Sequence, residues 1–289
     1  MINLIVPDTI NPMPLKNYLR KNVGLSLTLW RKIKHNGTVL INGQLMPCHT
    51  LVQARDIIAI TWIDECTIKP EFLPLDICFE DDYLIILNKP AGMLVHPTTQ
   101  QDSATLANGV IFHYQQNHLN YGFHPVHRLD RNTSGLMVIA KLPHIQHLLN
   151  RNNIKPIKRW YLAVTSGFFN QVEGSIDAPI GRNPSSIIER MVRPDGKPAI
   201  THYRVIKNFP QASLVELELI TGRTHQIRVH LSYINHPLLG DDLYGGSTEF
   251  ISRQALHAAR ISFNHPITGK NIDISSPLPD DITILLSQL

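Results

Sequence analysis

An aspartate in a short polar stretch is the first candidate for chemistry in this chain. Residues 127–135 read His-Arg-Leu-Asp-Arg-Asn-Thr-Ser-Gly, and the apolar residues 136–140 follow directly. The pattern predicts a loop and a turn that lead into a buried strand, with Asp130 in the loop. A carboxylate next to a buried strand is costly unless a cation pairs with it or a reaction uses it. The alternative is an aspartate that only caps the turn, a position that Asp favours.

Other kinds of catalytic site have no matching motif in the sequence. His124 and His127 lie three residues apart, as do His144 and His147, but no acidic residue or cysteine completes a metal-ligand set. There is no Gly-x-Ser-x-Gly nucleophile elbow and no glycine-rich phosphate loop. We therefore expect neither a metal nor an organic cofactor. Carboxylate catalysis remains, in which Asp130 is kept ionised by a guanidinium and attacks an electrophilic carbon.

The composition is that of an ordinary globular protein. The chain has 289 residues, enough for two domains, and is 43% hydrophobic and 17% charged. Its three cysteines, Cys48, Cys66 and Cys78, lie far apart, which predicts a reducing compartment rather than a disulfide framework. No signal peptide is evident in the first residues, and no stretch approaches membrane-spanning length. We therefore expect a soluble, cytoplasmic protein.

Basic residues are concentrated near the N-terminus. The first 70 residues contain eight Lys and Arg against four Asp and Glu, whereas the rest of the chain contains nineteen of each. The formal net charge of +4 therefore comes entirely from this segment. A small basic segment beside a neutral body predicts an appendage that binds a polyanion, and a solvated lysine-rich face is the alternative.

The same segment predicts a small RNA-binding module. Its pattern indicates two helices and two strands, over residues 14–22, 26–37, 38–41 and 56–61, with Asn42-Gly43 as a tight turn. This order resembles the alpha-L module of a small-subunit ribosomal protein, called here the S-four-like module. The resemblance implies phosphate contacts from the second helix, through Arg31, Lys32 and Lys34. We expect the module over residues 1–65, a linker over 66–74 and a catalytic domain over 75–289.

The larger domain is predicted to be α+β, with a mixed, largely antiparallel sheet, because several strands follow one another through hairpin-length connections. A basic cluster, Arg151, Lys155, Lys158 and Arg159, leads into one of these strands and is a candidate for RNA phosphate contact. We expect a helix to open within residues 221–231 and a final strand pair to end near Ser275. Further strands are predicted over residues 75–80, 83–87, 136–140, 160–164, 199–207 and 213–220, and helices over 105–116 and 143–150.

Four motifs in this domain resemble those of the RluA-type pseudouridine synthases. They are His127-Arg-Leu-Asp-Arg-Asn-Thr-Ser-Gly, Lys158-Arg-Trp-Tyr-Leu-Ala, Leu219-Ile-Thr-Gly-Arg-Thr-His-Gln-Ile-Arg-Val-His and His236-Pro-Leu-Leu-Gly-Asp. The resemblance runs through most of residues 75–275 in the expected order. It implies isomerisation of selected uridines in structured RNA, in which the base is flipped out, detached at N1 and rejoined through C5.

The resemblance also implies roles for particular residues. Asp130 corresponds to the catalytic aspartate, acting as a nucleophile or as the base that opens a glycal route, and Arg228 to the arginine that pairs with it. Tyr161 corresponds to the tyrosine that stacks on the uracil and is positioned for proton transfer at C5. Arg128 corresponds to the arginine that fills the place of the extruded base, and Ile227 to the apolar residue against the ring. Further substrate contacts are expected from Arg223 and His127, and RNA phosphate contacts from Lys155, Lys158 and Arg159.

The expected substrate is large-subunit ribosomal RNA, with transfer RNA as an alternative, and nothing in the sequence requires more than a monomer. A second hypothesis is a ribosome-assembly or RNA-chaperone protein that remodels RNA without catalysis. A third is a hydrolase that uses a lone carboxylate, which the lack of a second positioned acid disfavours. Intact Asp130, Tyr161 and Arg228 favour the enzyme.

Overall fold

The first part of the chain folds as a small antiparallel sheet packed against two helical segments. The computed structural model describes residues 2–62, 66–150 and 157–289. In the first of these ranges the sheet has the strand order β1-β6-β3-β4, and β2 pairs with β5. The elements are β1 (Ile2–Ile5), β2 (Met13–Pro14), α1 (Leu15–Asn17), a π-helical turn (Tyr18–Asn22), α2 (Leu27–Asn36), β3 (Gly37–Ile41), β4 (Gln44–Leu45), β5 (Leu51–Val52) and β6 (Ile57–Trp62).

Local sequence signals account for the second helix and for the tight turn. The hydroxyl of Ser26 accepts a hydrogen bond from the backbone N–H of Leu29 at 3.0 Å, which caps the first turn of α2. Asn42 and Gly43 both have positive φ, 53° and 79°, as a two-residue hairpin between β3 and β4 requires. Both predictions are confirmed. Strand β1, which pairs along β6, was not predicted.

The second part of the chain forms a large mixed sheet. Its strand order among the described residues is β12-β15-β16-β11-β17-β10-β8-β7, with β18 beside β17 and β9 beside β10. The pairings are antiparallel except that of β10 with β17, so the predicted largely antiparallel α+β domain is confirmed. The elements are β7 (Asp76–Glu80), β8 (Leu84–Lys89), α3 (Leu106–Gln116), β9 (His124–Pro125), β10 (Ser134–Ala140), α4 (Pro143–Asn150), β11 (Lys158–Ser166), β12 (Glu173–Asp177), β13 (Ile180–Arg182), β14 (Arg190–Val192), β15 (Ile200–Asn208), β16 (Ala212–Leu219), α5 (Gln226–Tyr233), β17 (Leu256–Asn264), β18 (Asn271–Ser275) and α6 (Asp280–Gln288).

Both faces of the central strands are buried, which explains their continuous apolar sequences. On β10, Met137 and Ile139 pack on the same side as α3 and α5, whereas Leu136 and Val138 pack on the side of α4. A third cluster packs α6 against β11 through Ile282 and Leu285. The sheet therefore has helices on each side. The loop that carries Asp130, residues 127–133, leads into the sheet at the start of β10 and is called the aspartate loop below.

Gly135 allows the only parallel pairing of the described sheet. It lies opposite Ala258 of β17 with a φ of 116°, in the region that favours glycine. A Cβ atom at this position would overlap the backbone of Ala258. The glycine of the Thr-Ser-Gly turn thus lets β10 and β17 approach closely, directly after the aspartate loop.

Helix α5 begins at Gln226, within the stretch 221–231 where a helix was expected to open. The side chain of Gln226 accepts hydrogen bonds from Thr221 Oγ1 at 2.8 Å and from the backbone of Arg223 at 2.9 Å, and so stabilises a turn before the helix. Helix α6, after the final strand pair, was not predicted. Its Ile282 and Leu285 lie three residues apart and are buried, and two aspartates occupy its first turn. None of the described helices is both long and apolar enough to span a membrane.

Candidate active site

A pocket of about 330 Å³ lies where the aspartate loop, β11 and the start of α5 meet. Its walls combine charged, aromatic and apolar side chains from distant parts of the chain. They include His127, Arg128, Asp130, Arg159, Tyr161, Arg223, His225, Ile227 and Arg228.

Asp130 is held in its loop and lies next to the side chains of Arg228 and His225. Its backbone carbonyl accepts a hydrogen bond from the N–H of Thr133 at 3.1 Å, which closes the turn before β10. Its carboxylate Oδ2 lies 3.3 Å from Arg228 Nη1 and 3.8 Å from His225 Nε2. The side chain is 22% exposed, so the carboxylate is fixed on one side and open to the pocket on the other.

Arg228 bridges two carboxylates. Its Nε and Nη2 donate to Asp241 at 2.7 and 2.8 Å, and its Nη1 reaches Asp130. The side chain of Asp241 is 0% exposed. Burial alone would lower the pKa of Arg228, but its hydrogen bonds to Asp241 and its attraction to both carboxylates raise that pKa above the usual value. The Arg228 guanidinium therefore stays charged and faces Asp130 in a site that is largely shielded from water.

Tyr161 and Ile227 form the flat, apolar part of the pocket. Tyr161 lies on β11 and is 4% exposed, and Ile227 lies in the first turn of α5 and is also 4% exposed. Burial raises the pKa of Tyr161, so its hydroxyl is protonated at neutral pH. The pairing of β11 with β17 shifts in register between Trp160 and Tyr161, directly before the tyrosine. The pocket suits a flat heterocycle placed against a carboxylate.

A buried lysine binds the backbone of the aspartate loop. Lys89, at the end of β8, is 0% exposed, and its ammonium donates to the carbonyls of Pro90, Met93 and Arg131 at 2.7, 3.0 and 3.0 Å. Burial lowers its pKa to about 7. The contact with Arg131 ties the residue after Asp130 to the edge of β8.

Comparison with known proteins identifies the family. The pattern of the family described as RNA pseudouridylate synthase matches residues 83–233. The chain belongs to this family. It is 42% identical over 281 residues to an uncharacterized RNA pseudouridine synthase of Bacillus subtilis (strain 168), covering 95% of this chain and 98% of that protein. It is 41% identical over 241 residues to the ribosomal large subunit pseudouridine synthase D of Haemophilus ducreyi, covering 78% of this chain and 74% of that protein.

A solved structure supports the fold. The human RNA pseudouridylate synthase domain containing 1 matches with a TM-score of 0.59 and 23% identity, over 74% of this chain and 86% of that one. The predicted family and enzyme class are thus confirmed, and the chain is an RNA pseudouridine synthase, an isomerase. In this pseudouridine synthase, the family match includes Asp130, Tyr161 and Arg228, which also meet in the pocket.

The other predicted site residues differ in their distance from the pocket. The side chains of Arg128 and Arg223 are exposed at the pocket, and His127 lies deeper, where its Nε2 accepts a hydrogen bond from the backbone of Val138 at 3.2 Å. Arg159 lines the pocket. Four predicted RNA contacts lie away from the pocket: Lys158 is placed over the ring of Trp160, and Arg31, Lys32 and Lys34 lie on α2. Lys155 lies outside the described residues.

Three residues of the site were not assigned roles from the sequence. Asp241 binds Arg228, His225 faces Asp130, and the hydroxyl of Tyr244 lies 2.8 Å from His225 Nδ1. Asp241 and His225 fall within recognised motifs, but their partners are apparent only in three dimensions. Within the described residues, no group of three or more His, Cys, Asp or Glu side chains could hold a metal ion.

Proposed function

We propose that this pseudouridine synthase modifies large-subunit ribosomal RNA as a monomer and that Asp130 is its catalytic residue. The observation that carries the proposal is the position of Asp130, whose carboxylate is paired with Arg228 and faces a pocket walled by Tyr161 and Ile227. Residues of a single chain supply all of these groups.

The pocket fits a uracil base that has left its RNA stack. Extrusion of a stacked base costs a few kcal/mol, and an aromatic ring with an apolar wall recovers part of that energy. We propose that the uracil lies between Tyr161 and Ile227, and that Arg128 and Arg223, exposed at the pocket, hold the flanking RNA. His127 supports this wall, since its ring binds the backbone of β10.

The isomerisation needs bond exchange but no net oxidation. The glycosidic bond between N1 and C1′ breaks, the uracil turns, and a bond forms between C5 and C1′. The hydrogen on C5 is then lost and N1 gains one. The carboxylate of Asp130 acts at the sugar, either by forming an ester at the electrophilic carbon or by removing a proton to open a glycal route. We propose that Tyr161, which lines the pocket, carries the proton at C5.

The choice of ribosomal RNA follows from the relatives and from charge. Synthase D of Haemophilus ducreyi is named for the ribosomal large subunit, and that name belongs to the relative. In this chain we propose that residues 1–65 form an S-four-like RNA-binding module, joined by residues 66–74 to a catalytic domain over 75–289. Arg31, Lys32 and Lys34 on α2, with Lys155, Lys158 and Arg159, would supply sequence-independent phosphate contacts.

The test is to map pseudouridines in ribosomal and transfer RNA from cells that lack this protein, complemented with the wild type or with Asp130→Asn. Discrete sites in large-subunit RNA should vanish in the deletion strain and return only with the wild type. Sites confined to transfer RNA would contradict the proposed substrate. Equal restoration by Asp130→Asn would contradict the catalytic role of Asp130. Asp273→Asn, at an exposed ion pair, is the matched control and should restore every site.

A further inference from the structure

His225 has an unusual backbone conformation next to the proposed catalytic aspartate. Its φ is 56°, in the left-handed region that a bulky side chain adopts at a cost, and it is the residue before the first turn of α5. This conformation places the imidazole between two partners: Nδ1 lies 2.8 Å from the hydroxyl of Tyr244, and Nε2 lies 3.8 Å from Asp130 Oδ2. Strain of this kind persists where the surrounding contacts favour one geometry.

The partners of Tyr244 define which ring nitrogen of His225 carries the hydrogen. The backbone N–H of Arg190 donates to the Tyr244 hydroxyl at 2.9 Å. The hydroxyl has one hydrogen to donate, and His225 Nδ1, 2.8 Å away, is the acceptor available to it among the described side chains. Burial lowers the pKa of His225, against the attraction of Asp130 and Asp241 and with the repulsion of Arg228 and Arg190, so the ring is neutral at pH 7. Its one hydrogen is therefore on Nε2, the nitrogen that faces Asp130.

Two donors thus converge on the same carboxylate oxygen. Arg228 Nη1 lies 3.3 Å from Asp130 Oδ2, and His225 Nε2 lies 3.8 Å from the same atom, beyond hydrogen-bond distance in the free protein. Within residues 2–62, 66–150 and 157–289, the side-chain hydrogen bond to this carboxylate goes to Oδ2, from Arg228. Hydrogen bonds at catalytic groups are often long before substrate binds and shorten in the complex, which fits the 3.8 Å separation.

We propose that His225, held in one tautomer by Tyr244, is a positioning residue that fixes Asp130 Oδ2 together with Arg228 and leaves Oδ1 directed at the uridine. The inference rests on the proposed catalytic role of Asp130. Tyr244 contacts both neighbours of Asp130. Its hydroxyl binds His225, and its ring lies 4.9 Å from the Arg228 guanidinium. Its backbone carbonyl accepts a hydrogen bond from Ser232 of α5 at 2.9 Å, which keeps the tyrosine in register with both side chains.

The test compares His225→Asn, Tyr244→Phe and the double variant. Asparagine tolerates the left-handed backbone but removes the imidazole, and phenylalanine keeps the ring under Arg228 but removes the hydroxyl. His118→Asn is the matched control, because His118 is exposed after α3 and has the same φ of 56°. The probe is total RNA from cells that lack the protein, which contains each candidate substrate. Single-turnover assays over a range of enzyme concentrations give the maximal rate of pseudouridine formation and the half-saturating concentration.

We expect His225→Asn to lower the maximal rate by about 10- to 100-fold while the half-saturating concentration changes by less than about twofold, because a misplaced carboxylate slows chemistry and not binding. Tyr244→Phe should lower the rate by a smaller factor and add nothing in the His225→Asn background, since the hydroxyl acts through the imidazole. His118→Asn should match the wild type.

Three results would overturn the proposal: a wild-type rate in His225→Asn, an equal loss of rate and of affinity, or additive effects of the two substitutions. If His225→Asn does not fold, Tyr244→Phe decides alone, because a wild-type rate there removes the tautomer argument. The sites mapped in the same RNA report separately on the proposed substrate. Full activity of Asp130→Asn would refute the proposed function rather than the tautomer.

Discussion

One guanidinium serves two carboxylates at the centre of the site. Arg228 uses its Nε and Nη2 edge for Asp241 and has only Nη1 left for Asp130. If Asp241 were absent, the same cation could turn its two-nitrogen edge to Asp130, since Arg pairs with carboxylates most favourably in that geometry. Asp241 therefore limits Arg228 to one contact with Asp130 and keeps the second oxygen of Asp130 available.

Asp241→Asn should impair both stability and catalysis. The substitution keeps the shape but leaves a buried guanidinium without its main counter-charge, which costs about 3–5 kcal/mol when a buried pair is broken. We also expect Asp130 to be drawn into a two-nitrogen contact, which lowers the rate of pseudouridine formation at saturating RNA. Urea unfolding and single-turnover assays measure the two effects.

Asp273→Asn is the control for that comparison. Asp273 binds Arg260 through two similar hydrogen bonds, 2.8 and 2.6 Å long, but its side chain is 37% exposed. Exposed pairs contribute about 0–1 kcal/mol, so this variant should lose little stability and no activity. Equal losses in both variants would contradict the role assigned to burial of Asp241.

Sequence motifs identified the residues whose chemistry is distinctive, and the structure brings Asp130, Tyr161 and Arg228 to one pocket. The same motifs contained His225 and Asp241 without indicating their partners. A hydrogen bond between Asp241 and Arg228 depends on how the loop after α5 folds back on that helix, and residue spacing carries no such information. The positive φ of His225 is also invisible in sequence, because only glycine and asparagine signal that conformation reliably.

At the scale of elements, α6 reaches the aspartate loop through a single arginine. Arg253 is 9% exposed and donates to Asp281 of α6 at 2.6 and 2.8 Å. Its Nη1 also donates to the carbonyl of Asn132 at 3.1 Å, two residues after Asp130. The next residue, Gln254, donates to Thr133 Oγ1 at 3.2 Å. Arg253 and Gln254, just before β17, therefore hold the loop in place through hydrogen bonds. Asp281 of α6 in turn orients Arg253.

Arg253→Lys should loosen the loop while conserving charge. A lysine has no planar fork and cannot bind Asp281 and the Asn132 carbonyl together. We expect faster amide hydrogen exchange over residues 130–135 and a pseudouridine formation rate lower by about tenfold, because small displacements of a catalytic group have large effects. The matched control is Arg260→Lys, at an exposed pair. Unchanged amide hydrogen exchange over residues 130–135 in Arg253→Lys would show that the loop is held without the hydrogen bonds of Arg253.

The elements that the sequence predicted well are those with strong local signals. Helix α2 has a serine cap, the turn at Asn42 and Gly43 has a matching pair of residues, and β10 is an uninterrupted apolar run. Strand β1 and helix α6 were missed because each is stabilised by a distant partner. Strand β1 depends on β6, about 55 residues later, and α6 depends on a surface of β11.

For the whole molecule, buried histidines couple stability to pH. His144 and His257 are 3% and 1% exposed, and burial lowers the pKa of each to about 4. Burial also lowers the pKa of His127 to about 3. The unfolded chain binds protons below its ordinary histidine pKa of about 6.5, whereas the folded chain does not bind them until about pH 4. The free energy of unfolding should therefore fall as the pH is lowered from 6.5 to 4.

His144→Leu tests this dependence. The Nδ1 of His144 is buried and has no hydrogen-bond partner in the part of the chain that the structure describes, so we expect an apolar side chain to be tolerated there. Each such histidine contributes up to about 1.4 kcal/mol per pH unit within the window, and the variant should lose that share of the slope. Urea unfolding at pH 7 and pH 5 gives the slope. His35→Gln, at an exposed position of α2, should leave the slope unchanged, and an identical slope in His144→Leu would contradict the assignment.

Residues 2–62 form their own sheet and hydrophobic cluster, with basic side chains on the outer side of α2. Arg31 and Lys34 are exposed and lie three residues apart, on one face of that helix, while Leu29, Trp30 and Ile33 are buried on the other.

If this face binds RNA phosphates, Arg31→Ala with Lys34→Ala should reduce the slope of log affinity against log salt by about 1.5, since each phosphate contact contributes about 0.7–0.9. Filter binding of large-subunit ribosomal RNA over a range of salt concentrations measures it. Lys270→Ala, in the turn after β17 and about 25 Å along that strand from the pocket, is the control. Equal slopes for the double variant and the wild type would remove α2 from the RNA interface, and a loss of affinity with an unchanged slope would mean that the helix acts by shape rather than by charge.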